Sequence, residues 1–277
     1  MSATAGLAPA RSFTVVAPDG LRISAQEWGN PAGHEVVFIH GFCQCHLSWA
    51  RQVSDPLLAD TFRMVTFDMR GHGATEAPAD KSRYYEARYW ADDLAAVIGA
   101  AGMKRPWLVG WSHAGRIIAD YITVHGDEGI AGINYVNAAC SSLSGYYGPA
   151  RAYVDDMLSD DLVTCIAATR AFLRACFALQ PEPDDFETML AFNMLVSPSI
   201  RRLVLDRPRI GPEALERLTV PVLVTHGRED TIILETLARF VAATVKGARL
   251  SLYDGIGHTP FFEAAPRFNA ELAAFIR

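Results

Sequence analysis

The sequence predicts an α/β fold: a mostly parallel eight-stranded sheet with helices on both faces and a helical cap insertion. Three observations carry this. Short apolar runs alternate with longer amphipathic stretches, the pattern of strand–helix crossovers. The run Val36-Val37-Phe38-Ile39 is apolar at every position, as in a parallel strand buried on both faces. The alternation breaks between Asn137 and Val220, where helix formers and aromatics crowd together.

Taken in order, Ser12 to Val16 and Leu21 to Ala25 flank Pro18-Asp19-Gly20 and read as a β-hairpin. After the Val36 run, Trp49 to Leu58 reads as a helix and Arg63 to Phe67 as the next strand. Tyr85 to Ala101 sets Leu94, Val97 and Ile98 on one face and stops at Gly102. Trp107-Leu108-Val109 is a strand, Arg116 to Tyr121 a helix, and Ile133 to Val136 the following strand. Pro221 to Thr225 and Arg249 to Tyr253 are the last two strands.

Residues 139–215 read as an inserted cap of about four short helices, punctuated by Pro181-Glu182-Pro183 and Ser197-Pro198-Ser199. Residues 1–138 and 216–277 form the core. A cap over the turn at Ser112 would exclude water and select substrate size. Cys43, Trp111, Tyr146, Phe172 and Met194 are candidates for the pocket wall, with the stretch from Ser141 to Tyr147 and Met189 beside them. Those in the cap could each as readily pack the cap against itself, and Cys43 sits on the loop after the Val36 run.

The hexapeptide Gly110-Trp111-Ser112-His113-Ala114-Gly115 joins a strand to a helix. A serine between small residues at such a turn is a nucleophile elbow: the tight turn lifts the hydroxyl clear of the sheet. It also leaves backbone N–H groups at the new helix N-terminus, where a developing negative charge is stabilised. The usual pattern is G-x-S-x-G, and Ala114 stands at the last glycine. Alanine fits there if the backbone does not need a positive φ.

A base and an acid follow downstream. Asp230 and His258 each lie in a loop just past an apolar strand, where open α/β sheets keep their sites. In this arrangement Ser112 is the nucleophile, His258 the general base, and Asp230 the residue that orients and stabilises the imidazolium. Asp230 could instead cap the helix that follows, with Glu229 as the alternative acid. His113 is expected to lend its backbone N–H rather than its ring. His226 and His72 read as hydrogen-bonded loop residues. The loop His40-Gly41-Phe42 after the Val36 run supplies a second donor, so the oxyanion hole is assigned to the backbone N–H groups of Phe42 and His113.

These blocks, together with Phe67-Asp68-Met69-Arg70-Gly71-His72-Gly73, Gly227-Arg228-Glu229-Asp230 and Gly257-His258, resemble the α/β-hydrolase superfamily over nearly the whole chain. Within it the chain is similar to compact bacterial enzymes with a small helical cap: carboxylesterases, cofactor-free haloperoxidases or perhydrolases, and C–C bond hydrolases. The resemblance implies a serine hydrolase that cleaves a small to medium carboxylic ester through an acyl-enzyme, without a cofactor. C–C cleavage, helped by a cap arginine such as Arg170 or Arg174, and perhydrolysis share the triad. A binding protein of this fold with weak or absent catalysis is a further alternative. Dehalogenases and epoxide hydrolases of this fold place an aspartate at the elbow, so Ser112 argues against both.

Composition narrows the partners. The 277 residues suit one α/β domain plus an insertion, and half of them are apolar. The net charge is −6 with no Lys/Arg-rich run, which argues against nucleic acid and anionic membranes and leaves a small-molecule substrate. The oligomeric state stays open. Five cysteines in no zinc pattern read as reduced thiols, and no metal is expected from Cys43-Gln44-Cys45-His46. The N-terminal ten residues lack the charged and apolar regions of a signal peptide and read as a flexible lead, so the expected location is the cytoplasm.

Overall fold

In the computed structural model the described residues are 7–142 and 145–276. Most of the N-terminal lead and the centre of the Ser141–Tyr147 stretch lie outside them. Eight strands form one sheet in the order β1-β2-β4-β3-β5-β6-β7-β8. They are β1 (Arg11–Val16), β2 (Arg22–Gly29), β3 (His34–Ile39), β4 (Phe62–Phe67), β5 (Trp107–Trp111), β6 (Gly132–Val136), β7 (Val222–Gly227) and β8 (Arg249–Tyr253). β1 and β2 pair antiparallel, as does β2 with β4, and every other pairing is parallel. The hairpin and the parallel core match the sequence reading.

One helical layer holds α1 (Ala50–Val53), α2 (Pro56–Thr61) and, from the chain's end, two further helices described below. The other begins with α3 (Ala87–Ala100) packed on α4 (Ala114–His125). The helix expected over residues 49–58 is broken. Asp55 is extended and accepts the Leu58 N–H at 3.1 Å as an N-cap, and Pro56 opens α2. Proline has no N–H to continue the preceding turn and suits the first helical position instead.

Between β6 and β7 the chain forms α5 (Val154–Met157), α6 (Leu162–Ala175), α7 (Pro183–Met194), α8 (Pro198–Leu205) and α9 (Glu213–Glu216), preceded by a 3-10 turn at Pro149–Tyr153. Asp161 and Ser197 cap α6 and α8 with their side chains, and Pro183 and Pro198 open α7 and α8. α10 (Glu235–Thr244) follows β7 and joins the α3–α4 layer through α9. α11 (Pro260–Glu263) and α12 (Ala265–Ile276) close the α1–α2 layer. The central strands are buried throughout, from Val36 to Ile39 and along all of β6 and β7. Among the described residues no helix is long and apolar enough to cross a membrane.

Candidate active site

Every residue assigned a role leaves the sheet at the C-terminal end of a parallel strand. Phe42 follows β3, Ser112 follows β5, Asp230 follows β7 and His258 follows β8. The fold therefore gathers residues that are far apart in sequence.

Ser112 is held with φ of 55°, a left-handed conformation that costs a non-glycine residue on the order of 1–3 kcal/mol. Its backbone is tied down on both sides. The N–H donates to the Val136 carbonyl at 3.0 Å, and the carbonyl accepts from Gly115 at 3.0 Å and Ala139 at 2.8 Å. These bonds over-determine the turn and aim the hydroxyl outward. Oγ lies 2.9 Å from His258 Nε2, and His258 Nδ1 lies 2.7 Å from Asp230 Oδ2. Ala114 is not among the residues of positive φ, so alanine carries no backbone penalty there.

Asp230 serves two ends at once. Oδ1 accepts the backbone N–H of Ile232 at 2.8 Å and Ile233 at 3.1 Å, closing a local turn. It is not the N-cap of α10, which is Leu234. Oδ2 faces His258 and also accepts from Asn137 Nδ2 at 2.7 Å. Burial alone would raise the Asp230 pKa. The charge and hydrogen bond of His258, then His226 and the Asn137 amide, outweigh it and hold the carboxyl below its usual range. An ionised Asp230 accepts the Nδ1 proton of His258, which leaves Nε2 free to accept the serine proton. Glu229, the alternative acid, is exposed.

Asn137 escapes a motif search. It stands directly after β6 with φ of 43°, its Oδ1 accepts the Gly227 N–H at 3.3 Å, and its amide reaches Asp230. The available signal is its place: an asparagine, the residue best suited to a left-handed bend, at the same sheet edge as the other three.

The Phe42 loop is built by two neutral histidines. His40 Nδ1 donates to the Gly41 carbonyl at 2.8 Å while its Nε2 accepts the Met69 N–H at 3.0 Å. His72 Nδ1 donates to the Arg70 carbonyl at 3.0 Å while its Nε2 accepts the Cys43 N–H at 3.2 Å. Gln44 donates back to Gly41 and closes the turn around Phe42 and Cys43. Gly41 packs closely against the site: a Cβ there would sit 3.2 Å from the Ser112 Cβ and 3.1 Å from the Trp111 ring, so a larger residue would press on the elbow. The N–H groups of Phe42 and His113 donate to no other described residue. The His113 ring turns away from the serine, onto Trp90 and Phe42. His226 Nε2 donates to the Ile233 carbonyl at 3.0 Å.

In front of Ser112 lies a cleft of about 460 Å³, lined by Phe42, His113, Phe172 and residues of the β6–β7 insertion. Of the pocket candidates, Phe172 lines it, and so do Ser142 and Tyr147 from the Ser141–Tyr147 stretch. Cys43 is buried beneath the loop, with its thiol pushed up to about 12 by burial. The Trp111 indole lies behind His258, donates to its carbonyl at 2.8 Å, and borders a separate apolar crevice of about 30 Å³. Tyr146 stacks on Phe240, and Met194 packs on the small cluster of Leu173, Phe186 and Leu190. These four lie away from the cleft because Trp111 on β5 and Met194 on α7 could face either way until their neighbours are known, and Cys43 and Tyr146 sit in turns whose course the sequence pattern does not fix. Arg170 pairs with Glu187 on the surface and Arg174 with Gln180, so neither lines the cleft.

Among the described residues Cys45, His46 and Asp68 form the one group with metal-ligand spacing, their donor atoms within 4.8 Å of one another. The Asp68 carboxylate already accepts the His46 N–H and Nδ1 and the Ala74 N–H, and burial raises the Cys45 thiol. The group fastens the loop rather than offering free ligands.

A serine, a histidine and a buried carboxylate, joined in that order beside two free N–H groups, define a hydrolase of α/β architecture. A sequence profile of the alpha/beta hydrolase family matches residues 36–271, and the chain belongs to that family. The structure is similar to a Burkholderia cenocepacia protein described as an aryl esterase. That likeness has a TM-score of 0.90 and 37% identity, over 96% of this chain and 98% of the other. It is similar too to the esterase RhEst1 from Rhodococcus sp. ECU1013, with TM-score 0.87 and 31% identity over 96% and 98%. Among curated sequences, the bifunctional esterase/perhydrolase DCH of Acinetobacter calcoaceticus is 25% identical, over 95% of this chain and 99% of its own.

Proposed function

We propose that this protein hydrolyses a small to medium carboxylic ester through an acyl-enzyme on Ser112. The observation that carries the reading is the chain from Ser112 Oγ through His258 to Asp230, opening onto the cleft. His258 Nε2 takes the serine proton as Oγ attacks the ester carbonyl. The tetrahedral oxyanion is held by the Phe42 and His113 N–H groups, each worth about 10²–10³ in rate. His258 then protonates the departing alcohol, and in the second half activates the water that releases the acid. Residues 139–215 act as the cap, whose Phe172 and neighbours set the size of the acyl or alcohol group. The esterase names of the two structural neighbours support this reading.

The Acinetobacter relative's name supports a second use of the same intermediate, with hydrogen peroxide replacing water to give a peracid. That step needs no residue beyond those of the esterase.

The test is initial rates on p-nitrophenyl esters of increasing acyl length, for the wild type and Ser112→Ala. The wild type is expected to show a chain-length optimum. Ser112→Ala is expected to lose at least about 10³-fold in kcat with an unchanged melting temperature. A variant that keeps most of its turnover would refute the assignment.

A further inference from the structure

Four arginines line the cleft before Ser112. Among the described residues Arg116, Arg151, Arg207 and Arg209 face it against one acidic lining residue, Asp206. The whole chain has a net charge of −6, so the cations are a local concentration of opposite sign.

Their pairing is incomplete. The buried Arg207 gives Nη2 to Asp120, while its Nε and Nη1 have no acceptor among the described residues. Half-buried Arg116 gives Nη2 to the Pro208 carbonyl, and its Nε is also buried without an acceptor among them. Arg151 rests over the Tyr147 ring at 5.6 Å. Arg116, Arg151 and Arg209 form no ion pair with a described carboxylate. A guanidinium has five N–H donors and stays charged, so burying it with donors unmatched is unfavourable unless an anion meets it. Phe172, Val204, Ile232 and Ile233 make the remaining wall largely apolar.

We infer that the ester cleaved at Ser112 carries a free carboxylate at one end and an apolar body between. The carboxylate sits on the Arg116 guanidinium and is drawn in by Arg151 and Arg209 at the mouth, with Arg207 behind. This rests on the ester-hydrolase reading. A planar guanidinium fork fits the two oxygens of a carboxylate. The chemistry stays ordinary hydrolysis: the ester C–O bond breaks, the alcohol leaves with a proton from His258, and water supplies the new acid's hydroxyl.

Monoethyl adipate and ethyl hexanoate share acyl length and leaving group and differ by the terminal carboxylate. Acid release should give the hemiester at least about a tenfold higher kcat/KM. Arg116→Gln, and separately the exposed Arg209→Gln, should lower that ratio. Salt near 0.5 M should compress it. Calorimetric binding to the Ser112→Ala protein separates the two readings. Tighter hemiester binding without wild-type hydrolysis keeps the carboxylate inference and removes the esterase. Hydrolysis of both esters at equal kcat/KM, with equal binding, keeps the esterase and overturns the carboxylate inference. A preference that survives both arginine substitutions and high salt also overturns it.

Discussion

Asn137 is the residue whose loss separates positioning from chemistry. Its amide donates to the Asp230 oxygen that faces His258 and touches no reacting atom. Hydrogen bonds to a charged group contribute about 1.5–3 kcal/mol. Asn137→Gly keeps the backbone at φ of 43° free of strain and removes the side chain, with its short bond to Asp230 and its longer ones to Gly227 and Gly257. The expected result is a fall of about tenfold or more in kcat with KM little changed, and an acid limb of the pH–rate profile displaced from wild type. An unchanged profile with lowered stability alone would make Asn137 merely structural. At this scale Ser112, Asp230 and His258 were legible because each follows an apolar strand and the three come in a recognisable order, though Glu229 beside Asp230 left two acids to choose between. Asn137 was not, since no neighbouring residue marks it. The cleft arginines were not legible either, because Arg116 meets Arg207 and Arg209 only through the path of the insertion.

The elbow element explains why alanine is tolerated where glycine is usual. A Cβ at Gly110 would lie 2.6 Å from Ile118 Cδ1 and 3.2 Å from the Ala114 Cβ, so the first glycine makes room for the alanine. A Cβ at Gly115 would meet the Ala139 backbone N at 2.9 Å, and backbone cannot swing aside. Two substitutions should therefore diverge. Ala114→Gly trades helix propensity for freedom, costing roughly 0.5–1 kcal/mol or about 2 °C in Tm, with turnover retained. Gly115→Ala should lower Tm several-fold further and depress kcat, because Ala139 also donates to the Ser112 carbonyl. Thermal melts of the two variants check this, and equal shifts would contradict it. The strands and their mostly parallel sheet were readable from apolar runs, and the break at Pro56 has a local cause in the Asp55 cap and the proline. The order of the strands and the orientation of the insertion's side chains depend instead on tertiary packing.

Across the whole molecule, buried neutral histidines set the response to acid. Burial lowers His40 to about 4 and His72 to about 3. Burial also lowers His226, and lowers His113 further with help from the Arg207 charge. In the unfolded chain these groups titrate near 6.5. Between that value and the folded pKa the unfolded state binds more protons, so stability is complete above about pH 6.5 and falls as pH drops toward 4. Each histidine contributes on the order of 1 kcal/mol per pH unit in that window, so His40 and His72 together can remove several kcal/mol by pH 4.5. That is a large part of the 5–15 kcal/mol typical of a folded domain. The low-lying carboxyls of Asp68 and Asp230 act only below about pH 4. Asp93, raised to about 7 by burial, and Asp120, also raised by burial, take up protons first in the folded state and offset part of the histidine loss. Urea unfolding at half-unit steps from pH 7.5 to 4.5 should show stability declining from near 6.5. His40→Gln with His72→Gln keeps an acceptor for the Met69 and Cys43 N–H groups but cannot be protonated. That pair should be less stable at pH 7.5 and have a flatter profile. A wild-type curve that stays level down to pH 4.5 would show that the two histidines do not hold the Phe42 loop as neutral acceptors.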